Sequence, residues 1–135
     1  MDRIFADTSA WYAFVNRRDP NHVAVKAVMQ AWEGRLVFTD YVFDEILTLV
    51  RSRAGHGLAV QVGSLLRTGE GGLLVRVESQ DTEDAWAQFC RDADKDYSFT
   101  DCCSFAVMRR LQVTQAVAVD DRFRQAGFVV LPDVA

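Results

Sequence analysis

"RLVFTDYVFDEILTLVRSRAG" (35–55) changes its periodicity at one residue. Leu36, Val37 and Phe38 form an unbroken apolar run, the pattern of a strand buried on both faces. From Asp40 onward the apolar positions Val42, Ile46, Leu49 and Val50 stand three, four or one apart, as on one side of an amphipathic helix. The spacing predicts a strand over 35–39 and a helix over 40–55. Gly55 and Gly57 punctuate the end of that helix.

The same unit recurs along the chain. "RIFA" (3–6), "GLLVRV" (72–77), "QAVAVD" (115–120) and "FVVLP" (128–132) read as four more strands. Between them fall helical patterns: a short one capped by Ser9, then 22–34, 58–69, 82–94, 100–111 and 121–127. The strands are continuous apolar runs instead of alternating ones. This predicts an α/β fold, a three-layer α/β/α sandwich with a five-stranded, mainly parallel sheet. Ligands of such sheets bind beyond the carboxyl ends of the strands, where the strand order reverses.

At 135 residues the chain is expected to form a single domain, 1–135, able to bury a core without disulfides. Its three cysteines form no paired framework. No apolar run is long enough for a membrane span, and the start carries no secretory core, so a cytoplasmic protein is expected. The net charge is −4, from 14 Asp and 5 Glu against 13 Arg and 2 Lys. An acidic total ordinarily argues against nucleic-acid binding. It does so weakly here, because a metal-dependent nuclease gathers acids that bound cations then cancel.

Four acids stand out. Asp7 ends "RIFAD" and Asp120 ends "AVAVD", so both side chains emerge at one rim of a parallel sheet. Each could equally be a helix cap or turn former. Glu45 lies on the border of the apolar face of the 40–55 helix, where an acid is costly unless paired or bound to a cation. Its neighbour Asp44 points about 100° away. Asp101 falls at the start of its helix with Thr100 as a natural cap, and a carboxylate is favoured there by the helix dipole alone. Four carboxylates gathered together repel one another unless some protonate or a hard divalent ion binds. Such an ion can activate water against a phosphodiester.

The ordered set "ADTSAW", "TDYVFDEILTLV", "DKDYSFTDCCSFAVM" and "AVAVDDRFRQAGFVVLP" resembles a PIN domain, and within it the VapC-type toxins of bacterial toxin–antitoxin pairs. The resemblance runs from residue 3 to 132. Its S-x-x-D element and D-x-x-F-x-x-x-G-F ending are the specific parts. It implies an acidic tetrad of Asp7, Glu45, Asp101 and Asp120 holding Mg²⁺, with Mn²⁺ as a substitute. Asp120 is preferred to Asp121 because it lies three before Phe123; Asp121 remains a supporting or substitute ligand. Thr8 or Ser9 could orient a metal water, Thr100 could hold Asp101, and Asp96 could edge the site. The resemblance further implies endoribonuclease activity on structured RNA such as tRNA or ribosomal RNA, a homodimer, and a cognate antitoxin protein.

The remaining conspicuous residues read more plainly. His22 and His56 neighbour no candidate acid, which disfavours a histidine base. Trp11, Trp32 and Trp86 fall on apolar helix faces, as core or dimer contacts. Cys102 and Cys103 read as small buried apolar residues. Arg122 is the arginine best placed to meet RNA, since it follows Asp120 at the rim. A non-catalytic binding module has no use for four intact acids. A phosphatase of the haloacid-dehalogenase type is disfavoured by the missing D-x-D after the first strand and the absence of lysine beyond Lys95.

Overall fold

The computed structural model describes residues 2–133. Among them, strands and helices run in the order β1 (Ile4–Ala6), α1 (Thr8–Val15), α2 (His22–Ala31), β2 (Leu36–Thr39), α3 (Asp40–Ala54), α4 (His56–Thr68), β3 (Leu73–Val75), α5 (Ser79–Arg91), α6 (Phe99–Leu111), β4 (Gln115–Val117), α7 (Arg122–Gln125) and β5 (Val129–Leu131). The five strands form one sheet in the order β3-β2-β1-β4-β5. Every pairing is parallel. The expected α/β architecture holds, and the sheet is parallel throughout.

The order reverses at β1. From β1 the chain steps to β2 and β3 on one side, through α1 to α4. It then returns through α5 and α6 to β4 and β5 on the other. The usual right-handed crossover sends the helices before and after β3 to opposite faces of the sheet, although α3 also touches α6. α1 packs on α2 and α3, and α3 on α4, while α5 packs on α6 and α6 on α7. β1, β2 and β4 are almost wholly buried. This is why their sequences lack alternation.

Local chemistry sets the element ends. Thr39 caps α3, its Oγ1 accepting from the Val42 amide at 3.1 Å. Val42, Ile46 and Val50 form the buried stripe of α3, and Asp44 is exposed. Gly55 joins α3 to α4 with φ +97, a left-handed conformation that other residues adopt at a cost. α5 begins at Ser79, earlier than the pattern at 82 predicts. Glu78 and Asp81 form a reciprocal capping box there. Asp81 is also buried, and burial alone would raise its pKa. Hydrogen bonds from Arg110 at 2.9 to 3.2 Å and from the Glu78 amide outweigh that and hold it below the usual carboxylate range.

Two tryptophan assignments divide. Trp11 is core, edge-on to Phe38 at 5.5 Å. Trp86 is 58 % exposed and stacks on Phe89, so it is not a core residue of this chain. Cys102 and Cys103 are fully buried, as expected. Burial, reinforced by nearby negative charge, pushes their thiols up to about 11 and about 12. They are inert at neutral pH.

Phe123 on α7 ties three elements together. Its ring stacks on Phe5 of β1 at 6.0 Å and meets Phe105 of α6 edge-on at 4.9 Å. Phe123→Ala is expected to cost about 3–5 kcal/mol of stability in urea melts. Phe123→Leu should cost distinctly less.

Candidate active site

The strand-order reversal puts the carboxyl ends of β1 and β4 side by side. Asp7 directly follows β1, and its amide donates to the Val117 carbonyl of β4 at 3.1 Å. The Asp7 side chain caps α1, accepting from the Ser9 amide at 3.3 Å and from Ser9 Oγ at 2.8 Å. Asp7, not Ser9, is therefore the helix cap. An aspartate two residues ahead of a serine captures the free amides better than the serine can. The freed Ser9 hydroxyl accepts from the Val119 amide at 3.1 Å, linking the two strand exits.

Asp120 does not close β4. Ladder pairing ends at Val117, Ala118 still donates to Leu131, and the chain then bends through Val119. Asp120 stands in that bend, its Oδ1 accepting from the Arg122 amide at 3.0 Å. Asp101 is not at the first helical position, and Thr100 is not its cap. Ser98 caps α6, and Ser98 and Asp101 exchange side-chain bonds with each other's amides at 3.0 and 2.9 Å. The S-x-x-D spacing in "SFTD" is thus a capping box with Asp in the third position, a signal already present in the sequence.

Asp7, Glu45, Asp101 and Asp120 all line one cleft of about 430 Å³, with Thr8, Ser9 and Ser98. Asp7 and Asp101 are buried; Glu45 and Asp120 are half-buried. Burial pushes Asp7 up from 3.8 to about 7; the negative charge of Asp101 and of Asp120 adds to this, against the Ser9 hydrogen bonds. Asp101 is likewise raised by burial, although Ser98 and Arg122 oppose it. Thr8 lines the cleft with its Oγ1 buried and without a hydrogen-bond partner.

The other sequence candidates fall elsewhere. Asp121 is exposed and bonds Arg124 at 2.9 Å, outside the cleft lining. Thr100 is half-buried and outside that lining. Asp96 is 94 % exposed and meets Arg122 at 3.1 Å. Arg122, by contrast, lines the cleft. Its guanidinium lies among Asp96, Asp101 and Asp120. Periodicity gave no hint of Tyr12 or Asp19 in the cleft wall; Arg53, one of several arginines the sequence offers as RNA-backbone contacts, joins them there with its guanidinium 5.0 Å over the Tyr12 ring. These residues come from α1, α3 and the loop after α1, brought together only by packing.

The donor set has the chemistry of a hard-cation site: carboxylate oxygens under mutual repulsion, and an unpartnered hydroxyl. As the side chains stand, no three acids, histidines or cysteines among the described residues form a group that could hold an ion. Arg122 supplies the positive charge at Asp101 and Asp120 instead.

Acids from the β1 exit, α3, α6 and the β4 exit flank the strand-order reversal of an open, parallel α/β domain. The family model for the PIN domain matches residues 4–129, and the chain belongs to that family. It is 36 % identical to the 23S rRNA-specific endonuclease VapC20 of Mycobacterium tuberculosis, over 93 % of this chain and 95 % of that protein. The crystal structure of M. tuberculosis VapC20, described as a sarcin-ricin loop cleaving toxin, superposes with a TM-score of 0.88 at 35 % identity, covering 93 % of this chain and 96 % of that one. A chain in the DNA-bound VapBC structure from Salmonella typhimurium gives 0.71 at 12 % identity over 96 % and 97 %, a likeness of fold. The VapC-type resemblance drawn from the sequence is borne out.

Asp7 carries a pH prediction. Its folded value lies above its unfolded one, so between pH 3.8 and about 7 the folded chain holds a proton that the unfolded chain has released. The metal-free protein therefore loses stability as pH rises through that window. Asp7→Asn should remove most of this loss. Thermal melts of the two proteins, subtracted across the window, check it.

Proposed function

We propose that the protein is a Mg²⁺-dependent endoribonuclease, the toxin of a toxin–antitoxin pair, with Mn²⁺ able to substitute. The observation that carries the reading is the convergence of Asp7, Glu45, Asp101 and Asp120 on one cleft at the strand-order reversal. Asp7, Asp101 and Asp120 would hold the ion directly, and Glu45 directly or through water. A bound divalent ion supplies Lewis acidity, making water a nucleophile near neutral pH and stabilising the departing oxygen.

The chain's own residues prepare that chemistry. Ser9 and Ser98 fix the carboxylates of Asp7 and Asp101 by hydrogen bonds, so little reorganisation is needed when charge develops. Desolvation keeps the Asp7 carboxylate without its usual water, which favours a cation beside it. Thr8 Oγ1 has free hydrogen-bonding capacity at the same wall. Arg53, held over Tyr12 and with no acid within ion-pair distance among the described residues, is placed to meet a phosphate of the bound strand.

The substrate favoured is ribosomal RNA, on the strength of the 36 % identity to VapC20; tRNA is the competing structured substrate. A cognate antitoxin is the expected partner, in keeping with the structural likeness to VapBC chains. We further propose a homodimer acting in the cytoplasm, where such RNA lies. No helix of the described residues is long and apolar enough to cross a membrane.

Asp7→Asn, Asp101→Asn and Asp120→Asn should each lower metal-dependent RNA cleavage by more than about a hundredfold, since loss of groups merely supporting a metal ligand already costs 10–100-fold. Asp44→Asn, one residue from Glu45 but exposed, should retain activity. Mapping new 5′ ends in RNA from cells expressing the protein tests the substrate. Discrete cuts in 23S rRNA are expected, and cuts confined to tRNA would overturn that assignment. Full activity of Asp7→Asn would overturn the catalytic reading.

A further inference from the structure

Arg122 has no ordinary reason to stand where it does. Its backbone amide is held by Asp120 Oδ1 at 3.0 Å, and the next residue, Phe123, is fully buried between β1 and α6. These anchors aim the side chain back into the cleft. Nε lies 3.7 Å from Asp101 Oδ2, Nη1 lies 3.7 Å from Asp120 Oδ2, and Nη2 bonds Asp96 Oδ2 at 3.1 Å. One guanidinium therefore offsets part of the charge on two of the acids that would hold the ion.

The distances make the arrangement reversible. Contacts of 3.7 Å lie beyond hydrogen-bond range and act as unsaturated charge attraction. The one short bond goes to Asp96, whose side chain is 94 % exposed, where an ion pair is weakly stabilising. Arg122 is itself 36 % exposed, so water is available to its head group when it leaves. It lowers the repulsion between buried acids without making the directional bonds that would lock it in place.

We infer that Arg122 is the resident cation of the metal-free site: it occupies the divalent ion's position at Asp101 and Asp120 and must swing out, toward Asp96, before the ion binds. It is a positioning residue that sets the metal affinity and relieves the repulsion between Asp101 and Asp120. This role rests on the metal-dependent reading proposed above. A divalent ion outcompetes the guanidinium because it carries twice the charge and binds oxygen directly, at about 2.0–2.1 Å for Mg²⁺.

The test is calorimetric titration of Mn²⁺ into the metal-free full chain, beside melts with and without the ion. Arg122→Gln should bind Mn²⁺ about tenfold more tightly than the wild type. Without metal it should melt at lower temperature than the wild type at neutral pH, and saturating Mn²⁺ should erase the deficit. Arg122→Lys, which keeps one charge but cannot span three carboxylates, should fall between the two; it decides the matter alone if the glutamine variant does not fold. Unchanged or weaker Mn²⁺ affinity in the variants overturns the role, above all if RNA affinity falls at the same time, which would make Arg122 a simple RNA contact. Mn²⁺ binding by neither wild type nor variant overturns the metal reading itself, and this role with it.

Discussion

The parallel pairing of β1 with β4 is the constraint from which the rest follows. These strands are distant in sequence, and the register Ala6 to Val117 sets their exits side by side. The chain must then solve a local problem, because backbone amides at two adjacent exits need acceptors. Ser9 and Asp7 solve it together. The Asp7 carboxylate accepts from Ser9, and the Ser9 hydroxyl accepts from Val119. The same bonds that finish the sheet hold Asp7 aimed into the cleft.

The cleft is built against the interests of the fold. Two of its acids are buried, and Asp7 is pushed up to about 7 by desolvation and by like charge. Such strain persists because rigid neighbours over-determine the positions. Phe123, Phe105 and Phe5 pack into one buried aromatic cluster, and the Ser98–Asp101 capping box fixes the start of α6. Stability resides in the aromatic core and functional tension in the cleft. Arg122, next in the chain to Phe123, connects the two.

Much of this was legible in the sequence, for a physical reason. Strands buried on both faces and helices with one apolar stripe leave periodicities of their own, so the alternation and the parallel sheet could be read off. Of the four acids only Glu45 broke a local rule, as a carboxylate bordering an apolar helix face; Asp7, Asp101 and Asp120 fit ordinary caps or turns and stood out by their places at strand exits and a helix start. Side-chain hydrogen bonds were less legible. Several residues competed for each helix start, and the structure favoured Asp7 over Ser9 and Ser98 over Thr100. The inward turn of Arg122 and the approach of Arg53 to Tyr12 depend on packing between segments far apart in sequence, which no local pattern records. Trp86 shows the converse limit: a helical apolar position need not be core.

The four acids come from four separate segments, at residues 7, 45, 101 and 120, and β4 is threaded beside the first strand only after six helices have been made. During synthesis the nascent chain carries three of the acids on the ribosome without the strand that gathers them at the sheet's reversal point. Asp120 and the Phe123 anchor emerge together, after the other three acids. A chain with this topology completes its cleft only once β4 has joined β1, so a nascent chain that stops short of β4 lacks it.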